Sequence, residues 1–191
     1  RQLGPAAAPF AQQYGQAARR LGPQARLPLI DLALPVLHAQ PAPWQADLLA
    51  ALHALAGDEP ATWPALALLR HHLAPAGLRR GTTAAAAADL RQVLRTLADC
   101  TDRTNGTGAA ADAYAAACGK LKLPAAPVAA ERGALEAALQ RLATAPLAQR
   151  LALLAAGAVA VSHDGVVEVA ELETLRLVGA ALDCPLPPLA P

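Results

Sequence analysis

Apolar residues in this chain recur every three or four positions along runs of ten to sixteen residues, and a proline or glycine stops nearly every run. That period is the one by which an α-helix lays side chains on a single face, whereas a strand would alternate by two. Leu147, Leu151, Leu154, Ala158 and Val161 show it most clearly. The residue types agree: hydrophobic residues make up 54% of the chain but aromatics only 3%, so the apolar mass is mostly Ala and Leu, which favour helix and disfavour strand. With 17 prolines and 13 glycines placed largely between the runs, the chain reads as all-α, with about eight or nine helices punctuated by helix starts and stops. At 191 residues it is long enough for one large or two small domains.

Walking along the chain, Ala6 to Leu21 predicts a first helix with Phe10, Tyr14 and Leu21 on one face, stopped by Gly22-Pro23. Leu27 to His38 follows, with Leu29, Ile30, Leu34 and Leu37 roughly on one side and Pro35 expected to kink or split it. Trp44, Leu48, Leu52 and Leu55 mark a third helix; Leu66, Leu69 and Leu73 mark a fourth, from about Ala61. Gly57-Asp58-Glu59-Pro60 lies between them, giving a helical hairpin. Thr82 or Thr83 is a candidate cap for a helix through Leu90, Val93, Leu94 and Leu97, with Asp89, Arg91 and Arg95 expected to face water. Thr101 to Gly108 reads as a loop, and Ala109 to Gly119 as a helix whose small side chains require a close, shallow interface. Leu121 to Ala129, with Pro124 and Pro127, reads as an elbow between two halves. Leu135, Leu139 and Leu142 mark the next helix, ahead of the strongly periodic run named above. A last helix after His163-Asp164-Gly165 sets Leu172, Leu175, Val178 and Leu182 on one side and Glu171, Glu173, Thr174 and Arg176 largely outside it, before Pro185-Leu186-Pro187-Pro188.

A shift of 106 positions, Asp58 onto Asp164, lays Leu48 on Leu154, Leu52 on Ala158, Leu55 on Val161, Leu66 on Leu172 and Leu69 on Leu175. Two helix–acidic turn–helix units result, packed as a helical bundle.

Several function classes are disfavoured. Lys and Arg number 16 against 15 Asp and Glu, a net charge of +1, and the basic pairs Arg19-Arg20 and Arg79-Arg80 have no aromatic partners for stacking bases, so nucleic acid is not an expected partner. The longest apolar run, Leu151 to Val161, is shorter than the ~18 residues of a membrane helix and reads as core; no direct membrane insertion is expected. The start, Arg1-Gln2-Leu3-Gly4-Pro5, is unlike a signal peptide, and with no Met anywhere the chain reads as a piece of a longer protein. Cys100, Cys118 and Cys184 have no metal-ligand spacing, and their odd number suits a reducing, cytosolic compartment. The chain contains no His-Glu-x-x-His, Gly-x-Ser-x-Gly or phosphate-loop motif, and His71 and His72, neighbours on a helix, point about 100° apart and cannot chelate one ion from one face. Catalytic residues are therefore expected to be absent, and so is any cofactor of the chain's own.

Ala160 to Glu171 has the outline of a calcium loop, with Asp164 fifth, Gly165 sixth, Val167 eighth and Glu171 twelfth. Asp164, Glu168 and Glu171 are thus the candidate metal ligands. Such a loop needs about six or seven oxygen ligands, and its first and third places hold only Ala160 and Ser162. The reading preferred is structural: Gly165 supplies a positive φ, while Glu168 and Glu171 satisfy amides at the start of the last helix. In the first unit the matching residues are Asp58, Glu59, Thr62 and Ala65, lacking the glycine and final carboxylate and leaving Thr62 as a cap.

Arg26-Leu27-Pro28-Leu29-Ile30-Asp31-Leu32-Ala33-Leu34-Pro35, taken with Ala160-Val161-Ser162-His163-Asp164-Gly165 through Glu171 and Leu175 to Leu182-Asp183-Cys184-Pro185-Leu186-Pro187-Pro188, resembles the C-terminal end of large HtpX-like metallopeptidases. The resemblance implies a parent with N-terminal membrane segments, a zinc peptidase domain bearing His-Glu-x-x-His, and this Ala-rich helical tail. It implies zinc in the parent's peptidase domain, protein partners in that domain or its substrates, and a place on the cytoplasmic side of the bacterial inner membrane. The acidic turns also look like those of the TerB-like tellurite-resistance fold, although the first turn lacks that pattern's Asp-Gly and later Glu. The resulting division is a lead-in over 1–25, a first helical unit over 26–120, an elbow over 121–129 and a TerB-like unit over 130–191. The function expected is a non-catalytic regulatory or protein-interaction domain of a membrane-bound zinc metallopeptidase. The alternative is a free-standing TerB-like stress-response protein binding a metal or a protein through its acidic turns.

Overall fold

The structure is a computed structural model, and it describes residues 7–56, 62–73, 84–105, 108–129, 131–184 and 186. Among them are nine α-helices and no strand: α1 Ala7–Leu21, α2 Arg26–His38, α3 Ala42–Ala56, α4 Trp63–Leu73, α5 Ala87–Asn105, α6 Ala109–Lys120, α7 Arg132–Leu142, α8 Leu147–Val161 and α9 Val169–Ala181. The chain is all-α, as its period and composition require. It forms two compact units that meet in sequence between Pro75 and Ala76.

In the first unit α1 ends at Gly22, whose φ of 77° is open to glycine without strain, and a 3-10 turn over Pro23–Ala25 leads into α2. α2 continues through Pro35 to His38 and is not split there. Gln45 ties the α2–α3 turn by donating from Nε2 to the carbonyls of Leu37 and Gln40, both at 3.0 Å. α4 begins Trp63-Pro64, a place where proline's missing N–H costs nothing, and buries Pro64, Ala65, Ala67, Leu68, Leu69 and Leu73. Both α2 and α3 pack on α4. The acidic turn at Gly57 to Pro60, like the candidate caps Thr82 and Thr83, lies outside the described residues. Thr62 directly precedes α4, and its carbonyl accepts from the Leu66 amide at 3.1 Å.

The second unit is built around α5, which touches α6, α7, α8 and α9 and buries Val93, Leu94, Leu97 and Ala98 completely. Its most extensive partner is α6, where Ala110, Ala113 and Ala117 let the two backbones approach, the close interface that small side chains imply. α7 buries Leu135, Leu139 and Leu142 as its period predicts.

Several expectations are corrected here. α5 continues through Asn105, so residues 101–105 of the expected loop are helix. Asp89 does not face water: it is buried and receives Arg141 Nε and Nη2 at 2.6 to 3.1 Å. Arg91 and Arg95 are half-buried, Arg91 bonded to the Pro124 carbonyl and Arg95 paired with Asp99 at 2.5 Å while lying over the Tyr114 ring. Residues 121–129 are no elbow between halves, for they lie within the second unit, laced to α5 and α6 by three hydrogen bonds described below. The buried side of α8 is Leu153, Leu154, Ala156, Gly157, Ala160 and Val161, so Leu147, Leu151 and Ala158 of the predicted stripe face outward. On α9, Glu171, Glu173 and Thr174 are buried, because α5, α7 and α8 all pack against this helix and leave it little free surface.

The 106-residue repeat reaches one helix further than the periodicity indicates. The shift carries α2 onto 132–144, where α7 occupies Arg132–Leu142; α3 onto 148–162, where α8 occupies Leu147–Val161; and α4 onto 169–179, where α9 occupies Val169–Ala181. Two three-helix segments therefore share one spacing. Burial does not follow it throughout: Leu69 and Leu175 are both buried, whereas Leu55 is exposed and Val161 is core.

Candidate functional site

The candidate metal turn is assembled as a helix start. Gly165 takes φ 81°, and Asp164 Oδ1 accepts from the Val166 amide two residues on, at 3.0 Å, closing a local turn. Glu168 is the N-cap of α9, and Glu171 three residues later is fully buried, its Oε2 accepting from the Glu168 amide at 2.8 Å in a capping box. Asp164 is exposed, Glu168 half-buried and Glu171 enclosed, so the three carboxylates differ in setting. Among the described residues no group of three or more His, Cys, Asp or Glu could hold a metal ion. One oxygen of Glu171 is committed to the cap of α9.

A second cluster joins α5 and α6 to the extended segment 121–129. The Tyr114 hydroxyl donates to the Ala126 carbonyl at 2.7 Å, Arg91 Nε to Pro124 at 3.1 Å and Gln92 Nε2 to Ala129 at 3.1 Å. The Pro124 and Ala129 carbonyls also accept the Ala126 and Glu131 amides, so the side chains of α5 and α6 add to the turns that the segment makes by itself. Burial, then the neighbouring Cys118 thiol, push the Tyr114 phenol up to about 12, against the opposing pull of Arg91 and Arg95. Burial also raises the Cys118 thiol, which makes it a poor nucleophile. Cys100 and Cys184 are buried thiols as well, and the Cys100 thiol donates to the Thr96 carbonyl at 3.4 Å.

An unfolded tyrosine loses its proton near pH 10, whereas Tyr114 keeps it in the fold to about 12. Stability from the neutral phenol is therefore complete below pH 10 and is lost as pH rises toward 12. In a Tyr14→Phe background Tyr114 is the only phenol left, and ultraviolet titration should place its midpoint about two units above free tyrosine. A midpoint near 10 would show that the hydroxyl is not held as described.

The third feature is a surface. On α2, Leu29, Leu32 and Val36 stand three and four residues apart on one face and are 42%, 75% and 64% exposed. The repeat carries them onto Leu135, Ala138 and Leu142 of α7, all buried, on a helix whose principal neighbour is α5. The first unit thus opens the positions that the second covers with a helix. Phe10, Tyr14 and Leu21 on α1 are also more than half exposed, with the Phe10 and Tyr14 rings stacked at 6.4 Å. The periodic pattern missed this distinction, because a helix stripe has the same spacing whether it faces its own core or solvent.

Fold and surface together define a two-unit helical protein with an uncovered apolar helix face. Comparison with known protein families, with curated proteins and with solved structures finds no match to the chain. Among the described residues no helix is long and apolar enough to cross a membrane.

Proposed function

We propose that the chain is a non-catalytic protein-interaction domain that binds through the α2 stripe. The observation supporting this is the set of three large apolar side chains, Leu29, Leu32 and Val36, held at the anchor spacing of helix-in-groove recognition and left in water. Combined with the resemblance of Arg26 to Pro35 and Ala160 to Pro188, the parent is an HtpX-like, membrane-anchored zinc metallopeptidase. The domain recruits substrate or controls access from the cytoplasmic side of the inner membrane. Leu29 and Leu32 lie within the first of those two resembling stretches, and Val36 directly follows it.

Two measurements test this. The coding frame upstream of Arg1 should carry His-Glu-x-x-His and apolar membrane spans; a start codon immediately before Arg1 would remove the peptidase. Supplied in trans, the domain should co-purify with that peptidase, and Leu32→Asp should weaken capture roughly tenfold or more, as loss of a central apolar anchor does. Equal capture by parent and variant would count against the α2 stripe.

A further inference from the structure

With the α2 stripe taken as an interaction surface of the parent protein, we propose that its occupant is a helix of that same protein, formed by the roughly 20 residues directly ahead of Arg1 and equivalent to α5. The 106-residue shift reaches further back than α2. It sets α6 onto 3–14, where α1 runs from Ala7, so α1 to α4 follow the order of α6 to α9. Among the described helices of the second unit only α5 lacks a counterpart, and the shift carries Ala87–Asn105 to the stretch just ahead of Arg1.

α5 is also the helix whose loss would uncover most. It touches α6, α7, α8 and α9, and the rest of its unit packs around it. In the first unit α2 and α3 pack on α4, while the chief contact of α1 is the 3-10 turn over Pro23–Ala25. A unit without its central helix leaves apolar side chains in water on each helix that the central one would touch. Eight of the twelve exposed large apolar side chains among the described residues lie on α1, α2 and α3, whose counterparts all pack on α5. They include Phe10 and Tyr14 on α1, the three residues of the α2 stripe, and Leu55 on α3. One helix thus accounts for the uncovered faces of α1 and α2 together. Where the second unit has that helix, Leu135, Ala138 and Leu142 are sealed, and α5 adds Val93, Leu94, Leu97 and Ala98 to the core. A helix of 19 residues, like α5, is about 28 Å long against about 20 Å for the 13-residue α2, so it spans the whole stripe. The first unit is then completed only in the parent, which docks the domain on the region that precedes it.

The reading frame ahead of Arg1 should encode, over its last 20 or so codons, an amphipathic helix with apolar residues spaced as Val93, Leu94, Leu97 and Ala98 are. A start codon within that stretch, or a run broken by proline and glycine, overturns the proposal. The chain extended by those residues is then compared with the chain from Arg1, each carrying Leu32→Cys. Leu32 is 75% exposed whereas Cys100, Cys118 and Cys184 are buried, so maleimide should label position 32 of the shorter chain first. Extension should slow that labelling roughly tenfold or more, and should leave Leu147→Cys, at an exposed position of the second unit, unchanged. Equal rates at position 32 in the two chains overturn the occupant. If the peptidase domain, ending ahead of that stretch, still slows the labelling when supplied in trans, the surface stands with a different occupant. If that domain has no effect either, the interaction reading falls as well.

Discussion

Gly157→Val should destabilise the second unit by about 3 kcal/mol, the upper part of the usual range for overpacking. A Cβ at Gly157 would lie 2.8 Å from Leu97 Cδ1 and 3.1 Å from Leu175 Cδ1. Both leucines are enclosed, so neither methyl can swing into solvent, and relief takes repacking of those two side chains or a parting of α8 from α5 and α9. The alanine variant is instructive by contrast. It meets the same contact but gains about 1 kcal/mol of helix propensity over glycine, and should fall within about 1 kcal/mol of the parent. Valine adds two methyls for which there is no space. Leu97→Ala alone should cost about 2 to 5 kcal/mol through the cavity it leaves. In that background Gly157→Val partly refills the void, so the two changes should couple favourably by about 1 kcal/mol or more. Urea denaturation of the four chains, followed by circular dichroism, closes the cycle. Strict additivity would mean that the two side chains do not meet.

Much of the fold is legible because helix formation here is a local property. The run ending at Val161 becomes α8 over Leu147–Val161, and the Gly165 turn and paired Glu168 and Glu171 open α9 at Val169, since the residues that start and stop these helices are neighbours in sequence. The close α5–α6 interface is legible for a related reason, as alanines can pack only at short range. Which face each helix buries is a property of its neighbours, and there local patterning runs out. Asp89 looks solvent-facing until Arg141, 52 residues away, is brought to it. Glu171 and Glu173 look outward on a helical wheel, yet α9 has helices on most sides and takes both inside. Tyr114 gives no local sign that its hydroxyl will meet Ala126, because that contact depends on the course of an irregular segment with no period. The candidate metal residues divide similarly: the capping role of Glu171 is written in its distance from Glu168, whereas its complete burial is not.

The α2 stripe is the sharpest instance, and the repeat turns it into a matched pair of substitutions. Leu135→Asp should unfold the second unit under conditions where the parent is fully native. Leu135 is wholly enclosed, and a carboxylate there must be buried charged or neutralised, adding several kcal/mol to the lost apolar burial in a domain whose net stability is only about 5 to 15 kcal/mol. Leu29→Asp, the same chemical change at the position 106 residues earlier, should cost under about 1 kcal/mol, because the new carboxylate stays hydrated. Helix propensity is shared by the two changes, so their difference isolates what covers the stripe. Thermal melts of the two variants should therefore separate widely. If Leu29→Asp were instead as damaging as Leu135→Asp in dilute solution, the α2 stripe would be core within one chain, and the repeat would then extend to burial as well as to helix spacing.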